Sequence, residues 1–438
     1  MFKELEFPAG CELIRGWQNA DADATARLKE IFDATLAGDY DALFHQPAPT
    51  HMVHASASLN LFVLSLLSRL YGLDSAQAYK GDAKRYVRTS LMIRRLLGLP
   101  KAYLEWPVYA FTAEVLGAVM LYPEGAPPGT DPGINLINRH TWNSITTPDF
   151  SQGIPKFFDE MMEFYQDVTG LEPVLHLTAP YSLAADIYGQ EPLVGALTNE
   201  TEFVNEMLDH LVDKVLQPWC DHFFRKFPKG WVELSDASGS PFFIGPEKCK
   251  NVAIRSILRL KNENPWGLRV YDANYRGDYV TEAFKVERAS RRKKVVKKES
   301  ANLTFAELFD TKQSVCTDYV MRLHDDRLDL KLYHDRAMER NVPLFIGIGA
   351  SQIDRNSIAD LDVTKAEIQE LITEYVASVK AVAHHIAAQG YENRIPPWPG
   401  AIYFEDVSAE TSMDLMEIIV GTVLRDGQLD WGLRAGSL

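Results

Sequence analysis

Hydrophobic positions recur along this chain in two spacings that take turns. Short apolar runs of strand character are each followed by a longer stretch with apolar residues at helical spacing. The clearest instance lies between Pro173 and Gly245. PVLHLTAPYSLAADIYG reads as an apolar strand, a turn at Pro180 and the opening of a helix. Helical periodicity continues from Thr198 to Phe227, and GWVELSDASGSPFFIG then supplies a second apolar strand ending on Asp236 and a Gly/Ser-rich loop. Two such strands joined by a long amphipathic helix close as a right-handed parallel crossover, because antiparallel neighbours need only a tight turn. In a barrel of these units the loops after the strands build the site. His176 to Tyr181 and Asp236 to Phe243 are therefore expected to face one cavity.

The same alternation organises the rest. ATARLKEIFDATLAGDYDALF predicts a helical extension over residues 1–49, and THMVHASAS a first strand after Pro47 and Pro49. LNLFVLSLLSRLYGL reads as a core helix. Lys80, Lys84, Arg85, Arg88, Arg94 and Arg95 fit a solvated helix face. NPWGLRVYDANYRGDYV and SVCTDYVMRLHDD predict later strands, VPLFIGIGASQID a buried parallel strand ending in glycines, and IPPWPGAIYFEDVSAETSMDLMEIIVGTVLRDG a closing strand, polar loop and helix. The repeated strand-helix order predicts an α/β fold, a (β/α)8 TIM barrel over 50–438 with the helical extension before it. AFKVERASRRKKVVKKES, within about 282–313, interrupts the pattern with a basic run, read as a solvated insertion and as the best docking candidate for an acidic partner.

Composition narrows the function. The chain has 438 residues, 46% hydrophobic and 11% aromatic, with a formal net charge of −15. That balance supports a large core and speaks against binding nucleic acid or an anionic membrane, both of which rely on surplus Lys and Arg. No stretch reads as a signal peptide or a membrane span, so a cytoplasmic location is expected. Cys11, Cys220, Cys249 and Cys316 are scattered and fit reduced thiols.

Several motifs carry a resemblance. LTAPYSLAADIYG followed by WVELSDASGSPFFIGPE resembles the uroporphyrinogen decarboxylase superfamily, which includes decarboxylases and corrinoid-dependent methyltransferases; Pro180, Leu183, Ala184, Asp236, Gly239, Ser240, Pro246 and Glu247 match its pattern. Glu114, Leu116, Gly117, Ala118, Gly125 and Pro127 resemble its second unit, and Thr147, Pro148 and Asp149 its next helix start, where Asp149 is taken as structural. Two departures matter. The superfamily's early Arg-Gln-Ala-Gly-Arg motif is replaced by THMVHASASLN, which lacks the arginines that would hold a many-carboxylate porphyrinogen. The methyltransferase branch's His-x-Cys zinc positions fall on Val270 and Asp272, which removes the thiolate site.

The resemblance therefore implies methyl transfer from a small, methoxy-bearing and aromatic-compatible donor to a corrinoid, free or on a carrier protein. Decarboxylation of a tetrapyrrole or another acid is the alternative, and a barrel that binds a ligand without turning it over is a third reading. The strand ends supply Asp236, Asp272 and His324 as candidate catalytic groups, since carboxylates gathered in an apolar cavity raise one another's pKa and one can serve as an acid. His176, Tyr181, Phe242, Tyr271 and Glu405 are candidate substrate contacts. A metal is left open, zinc if any, with Asp272, His324 and Glu405 as its oxygen and nitrogen donors. His176 has the alternative of a core histidine bonded to backbone. Barrels of this size often pair, which keeps a homodimer among the partners considered.

Overall fold

A computed structural model describes residues 5–45, 52–99, 104, 106, 108–265, 270–273, 305–324, 329–389 and 399–429; for Val108, Tyr109, Phe242, Val270–Ala273, Phe305, Ala306 and Leu308 the backbone course alone is described. Nine strands are found among these residues: β1 (His54–Ala57), β2 (Met120–Leu121), β3 (Gly129–Thr130), β4 (Val174–Thr178), β5 (Trp231–Ser235), β6 (Val270–Ala273), β7 (Val320–Arg322), β8 (Leu344–Ile348) and β9 (Ala401–Phe404). Seven of them are parallel and form two sheets, ordered β1-β9-β8-β7 and β4-β5-β6, while β2 and β3 make a small antiparallel hairpin.

Side-chain alternation fixes what each face of these sheets does. Leu175 and Leu177 of β4, Val232 and Leu234 of β5, Ile346 of β8 and Ile402 of β9 are fully buried in the main core, against the helices. The opposite positions turn inward. At the strand starts, Val174 and Trp231 of one sheet pack with Met321, Phe345 and Ala401 of the other, around Cys316 and Tyr319. Tyr319 and Phe345 stack there at 4.5 Å, a contact worth about 0.5–1.5 kcal/mol beyond burial. The two sheets thus share an interior that is apolar at the strand starts.

One inward position further along, register pairs His176 with Glu233 and Gly347 with Tyr403; the next pairs Thr178 with Ser235. Continuing the alternation past Ile348 and Phe404 brings Gly349 and Glu405 to the same level. This interior becomes polar towards the strand ends.

Closure of an eight-stranded barrel is not resolved. The helix Val108–Val115 and the short strand β2 follow the order expected around Glu114 to Pro127, but β2 pairs with β3 in the hairpin, and it is the helix that stands beside β4. Thr178 donates its backbone N–H to Thr112 Oγ1 at 3.2 Å, and the Leu104 carbonyl reaches His176. Beyond β6 the chain from 274 to 304, with the whole of the basic run, lies outside the described residues; the end of the expected insertion, Phe305–Gln313, is a helix with Phe309 buried against Tyr333.

The crossover between β4 and β5 is helical as expected, in segments Pro180–Tyr188, Gln190–Asn199, Thr201–Leu211 and Gln217–Lys226. Pro180 occupies the first turn directly after β4, where its missing N–H costs nothing. The N-terminal helices Ala9–Gln18 and Ala22–Ala37 bury Cys11, Ile14, Leu28 and Phe32 in the main core. Arg15 bonds Glu417 of the closing helix Met413–Asp426 at 2.7 Å, which ties the first helix to the last.

Two expectations need correction. The helix placed at Thr147 to Asp149 starts later, at Gly153, because the Asp149 carboxylate accepts from Ser151 N, Ser151 Oγ and Gln152 and folds that stretch into a local turn. Asp149 is exposed and makes only these local bonds, in keeping with a structural role. Arg94 does not belong to a solvated face. It is 2% exposed and donates to the Ala57 carbonyl at 2.8 Å, at the end of β1. All four cysteines are buried and none forms a disulfide.

Candidate functional site

The polar ends of the inward faces gather the chemistry, and the best-defined arrangement is built from three neighbouring strands. His324 follows β7, and Glu405 follows β9. Their side chains meet over the end of β8, with His324 Nδ1 2.7 Å from Glu405 Oε2. The other carboxylate oxygen, Oε1, accepts the backbone N–H of His324 at 3.0 Å. Glu405 is 6% exposed and its own N–H is held by the Ile348 carbonyl. Oε2 and Nδ1 touch without the alignment of a hydrogen bond, so the carboxylate acts on the ring through its charge, and the ring carries a second nitrogen, Nε2, that can exchange a proton.

Beneath this pair, β8 supplies glycine at both inward positions. A Cβ on Gly347 would come 3.1 Å from Glu405 Oε1, and a Cβ on Gly349 would overlap the His324 ring. Gly349 has an ordinary extended conformation, φ −78°, so it is required for space. These glycines let the imidazole lie against backbone.

A second cluster follows β4 and β5. Asp236 is fully buried and takes Ser182 Oγ at 2.7 Å and the Gly239 N–H at 3.2 Å on Oδ1. Ser182 in turn accepts the Ser238 N–H at 3.1 Å. Burial pushes the Asp236 carboxyl up to about 6, with the bonds from Ser182 and Gly239 pulling the other way. Asp236 Oδ2, Tyr181 OH and Ser240 Oγ are buried and have no hydrogen-bond partner among the described residues. Tyr181 feels the Asp236 charge, which together with burial raises its phenol. Three orphaned polar atoms in one cluster are what a polar ligand or a bound water would satisfy.

His176 stands deeper. Its Nε2 meets the Leu104 carbonyl at 2.6 Å and its Nδ1 lies 3.2 Å from Glu233 Oε2, with the Phe158 ring edge-on at 6.0 Å. Burial pushes its pKa down to about 4, the Leu104 bond opposing.

The structure therefore brings His324 together with Glu405, and Tyr181 together with Asp236. It gives Asp236 the partners Ser182 and Gly239, and keeps His176 with Glu233 in a separate layer. The side chains of Asp272, Tyr271 and Phe242 lie outside the described residues. Phe242 falls in the short helix Pro241–Ile244, beside a 57%-exposed Phe243. Sequence reasoning missed Glu233, Ser182 and Asp186. Asp186 is half-buried on the same helix as Ser182, one turn on, and burial pushes its carboxyl up to about 8. The signal for Glu233 was present in the alternation of WVELS, where Trp231, Glu233 and Ser235 share one face.

Among the described residues no three His, Cys, Asp or Glu side chains converge as metal ligands would. No helix of those residues is long and apolar enough to cross a membrane.

The elements define an α/β protein with parallel sheets whose strand ends carry a His–Glu pair. In structure it is similar to a methyltransferase from Methanosarcina mazei, with a TM-score of 0.57 and 11% sequence identity over 90% of this chain and 96% of that one. At that identity the likeness describes the fold. No known family profile matches the chain, and no curated protein matches it in sequence.

Proposed function

We propose that this protein is a methyltransferase that moves a methyl group from a small methylated donor, of the methoxy type, to a corrinoid acceptor supplied free or on a carrier protein. The observation that carries the reading is the His324–Glu405 pair at the strand ends, on a fold shared with a methyltransferase.

The corrinoid supplies the nucleophile that takes the methyl carbon. As the donor's carbon–oxygen bond breaks, its electron pair goes to the oxygen, which needs a proton to leave. His324 gives that proton from Nε2 and ends neutral, while Glu405 steadies the charged ring beforehand and holds it in place. Tyr181, Ser240 and Asp236 offer the polar contacts that orient the donor. The inward positions of β1, β4, β5, β8 and β9 are apolar, glycine, hydroxyl-bearing, His or Glu, with no Lys or Arg among them. Such an interior suits an uncharged donor and is poorly made for a substrate with many carboxylates.

The four cysteines are buried in the cores. No step is assigned to a metal.

The test is anaerobic incubation of the protein with cob(I)alamin and methoxy-aromatic, methylamine and methylthiol donors, following formation of methylcobalamin by absorbance. The reading predicts transfer from one donor class that depends on His324. Transfer no faster with the wild-type protein than with His324→Gln, for every donor, would overturn it.

A further inference from the structure

Gln18 is the last residue of the helix Ala9–Gln18, in the segment whose sequence sets it apart as an extension. It is buried, and its side-chain amide meets two carbonyls, that of Ala409 at 2.9 Å and that of Thr411 at 2.8 Å. Carbonyls only accept, so the amide nitrogen faces both and gives them its two hydrogens. Ala409 and Thr411 are buried as well, and an acceptor left unpaired there costs its full desolvation. Both belong to the loop that runs from Glu405 to the helix Met413–Asp426.

The same residue holds the neighbouring loop. The Gln18 main-chain carbonyl accepts from Arg355 Nη1 at 3.2 Å. Arg355 lies in the loop after β8 and reaches Glu410, which stands between the two carbonyls, in two ways. Its backbone N–H donates to the Glu410 carbonyl at 2.9 Å, and its Nε to the Glu410 carboxylate at 2.9 Å. Arg69 of the helix Asn60–Tyr71 takes the other carboxylate oxygen at 3.1 Å, with its guanidinium over the Trp17 ring. The first of these loops begins with Glu405, and the second with Gly349, which makes room for the His324 ring.

We infer that Gln18 is a positioning residue for the His324–Glu405 pair, clamping the loops after β8 and β9 together and so making the N-terminal helices part of the site. A slip of about 0.5 Å between those loops would stretch the 3.0 Å bond from the His324 N–H to Glu405 beyond ordinary hydrogen-bond length. The turn that presents Gln18 holds Ala20 at φ +57°, a left-handed conformation that is costly for a residue with a side chain. The role rests on the reading of this pair as the reacting centre, and its test needs no turnover. Failure to transfer methyl groups and failure of the clamp are therefore seen separately.

The test is NMR of histidine-labelled protein, with the His324 ring signals identified by their loss in His324→Gln. Gln18→Met keeps the length of the side chain and removes both donors. Its His324 signals are expected to move away from their wild-type positions. Ile31→Ala, which opens a gap in the core of the same extension on the helix Ala22–Ala37, is the control for lost stability alone and should keep the wild-type signals. Unmoved His324 signals in Gln18→Met, or an equal displacement in Ile31→Ala, would overturn the proposal. Should Gln18→Met fail to fold, Arg355→Gln breaks the other half of the clamp and is judged by the same signals.

Discussion

His324 and Glu405 reach each other across the end of an intervening strand, with His324 Nδ1 2.7 Å from one carboxylate oxygen and the His324 backbone N–H 3.0 Å from the other. The two residues are far apart in sequence and follow different strands. Holding the His324 backbone through Oε1 while setting the charge of Oε2 beside the ring makes Glu405 the positioning residue and His324 the group that meets a ligand. Each prediction below follows from a specific contact of this kind.

Gly349→Ala tests the space under the imidazole. Its Cβ would overlap the His324 ring, and the backbone there is ordinary, so the effect is steric. Forcing a methyl group into a filled site costs about 1–3 kcal/mol. The expected outcome is a folded protein with a lower melting temperature and little His324-dependent activity. Gly245→Ala, at a glycine with open space around its Cβ but φ of +83°, should cost stability through backbone strain while sparing the ring.

Asp236 gives a pH dependence whose sign can be worked out. Its folded pKa, about 6, lies above the ordinary 3.8 because the carboxyl is buried. The stability it contributes is therefore fully present below pH 3.8 and is lost as pH rises through about 6. A shift of this size corresponds to about 3 kcal/mol. Asp236→Asn lacks the penalty, so the stability of the variant relative to wild type should rise between pH 4 and 6 and then level off. Parallel denaturant-derived stability profiles for the two proteins would contradict the assignment.

Arg94 and Arg95 separate a fully buried cation from a half-buried one. Arg94 bonds the end of β1 from inside the core, and Arg95 pairs with the exposed Glu6 side chain at 4.0 Å. Arg94→Met should lose about 1.5–3 kcal/mol. Arg95→Met should change stability by less than about 1 kcal/mol. Urea titrations of both variants check the contrast.

The sequence made the strand-helix alternation legible because outward-facing strand residues are apolar and periodic. Leu175 and Leu177, or Val232 and Leu234, announce themselves. It also placed His324 and Glu405 at strand ends, since each follows a run of strand residues. Their mutual contact was not legible, because it depends on β9 lying beside β8 and on glycines at inward positions that read simply as strand glycines. Glu233 was hidden for a different reason. Its strand was read as uniformly apolar, and a polar inward face shows only once the two sheets are known to share an interior. Arg94 was misread because helical spacing alone cannot tell which of two adjacent arginines points at the sheet. What stands beside β4 was not legible either, because there Thr112 on a helix takes the Thr178 N–H.

Ser182 links the two strand-end loops after β4 and β5 through its bonds with Asp236 and Ser238. Ser182→Ala should leave Asp236 with the backbone N–H groups of Gly239 and residue 182 and raise its pKa further, because a bond that favours the ionised form is gone. NMR titration of the Asp236 carboxyl is the check, and a lower pKa in the variant would contradict this account of the cluster.

The most direct measurement is the rate of methyl transfer to cob(I)alamin by wild type and Glu405→Gln, at matched protein stability. If Glu405 orients and charges His324 for proton donation, the variant should fall by about 10²–10⁴-fold, the usual worth of a positioned general acid, with donor binding retained. A variant that transfers methyl groups at the wild-type rate would contradict the central role given to the His324–Glu405 pair.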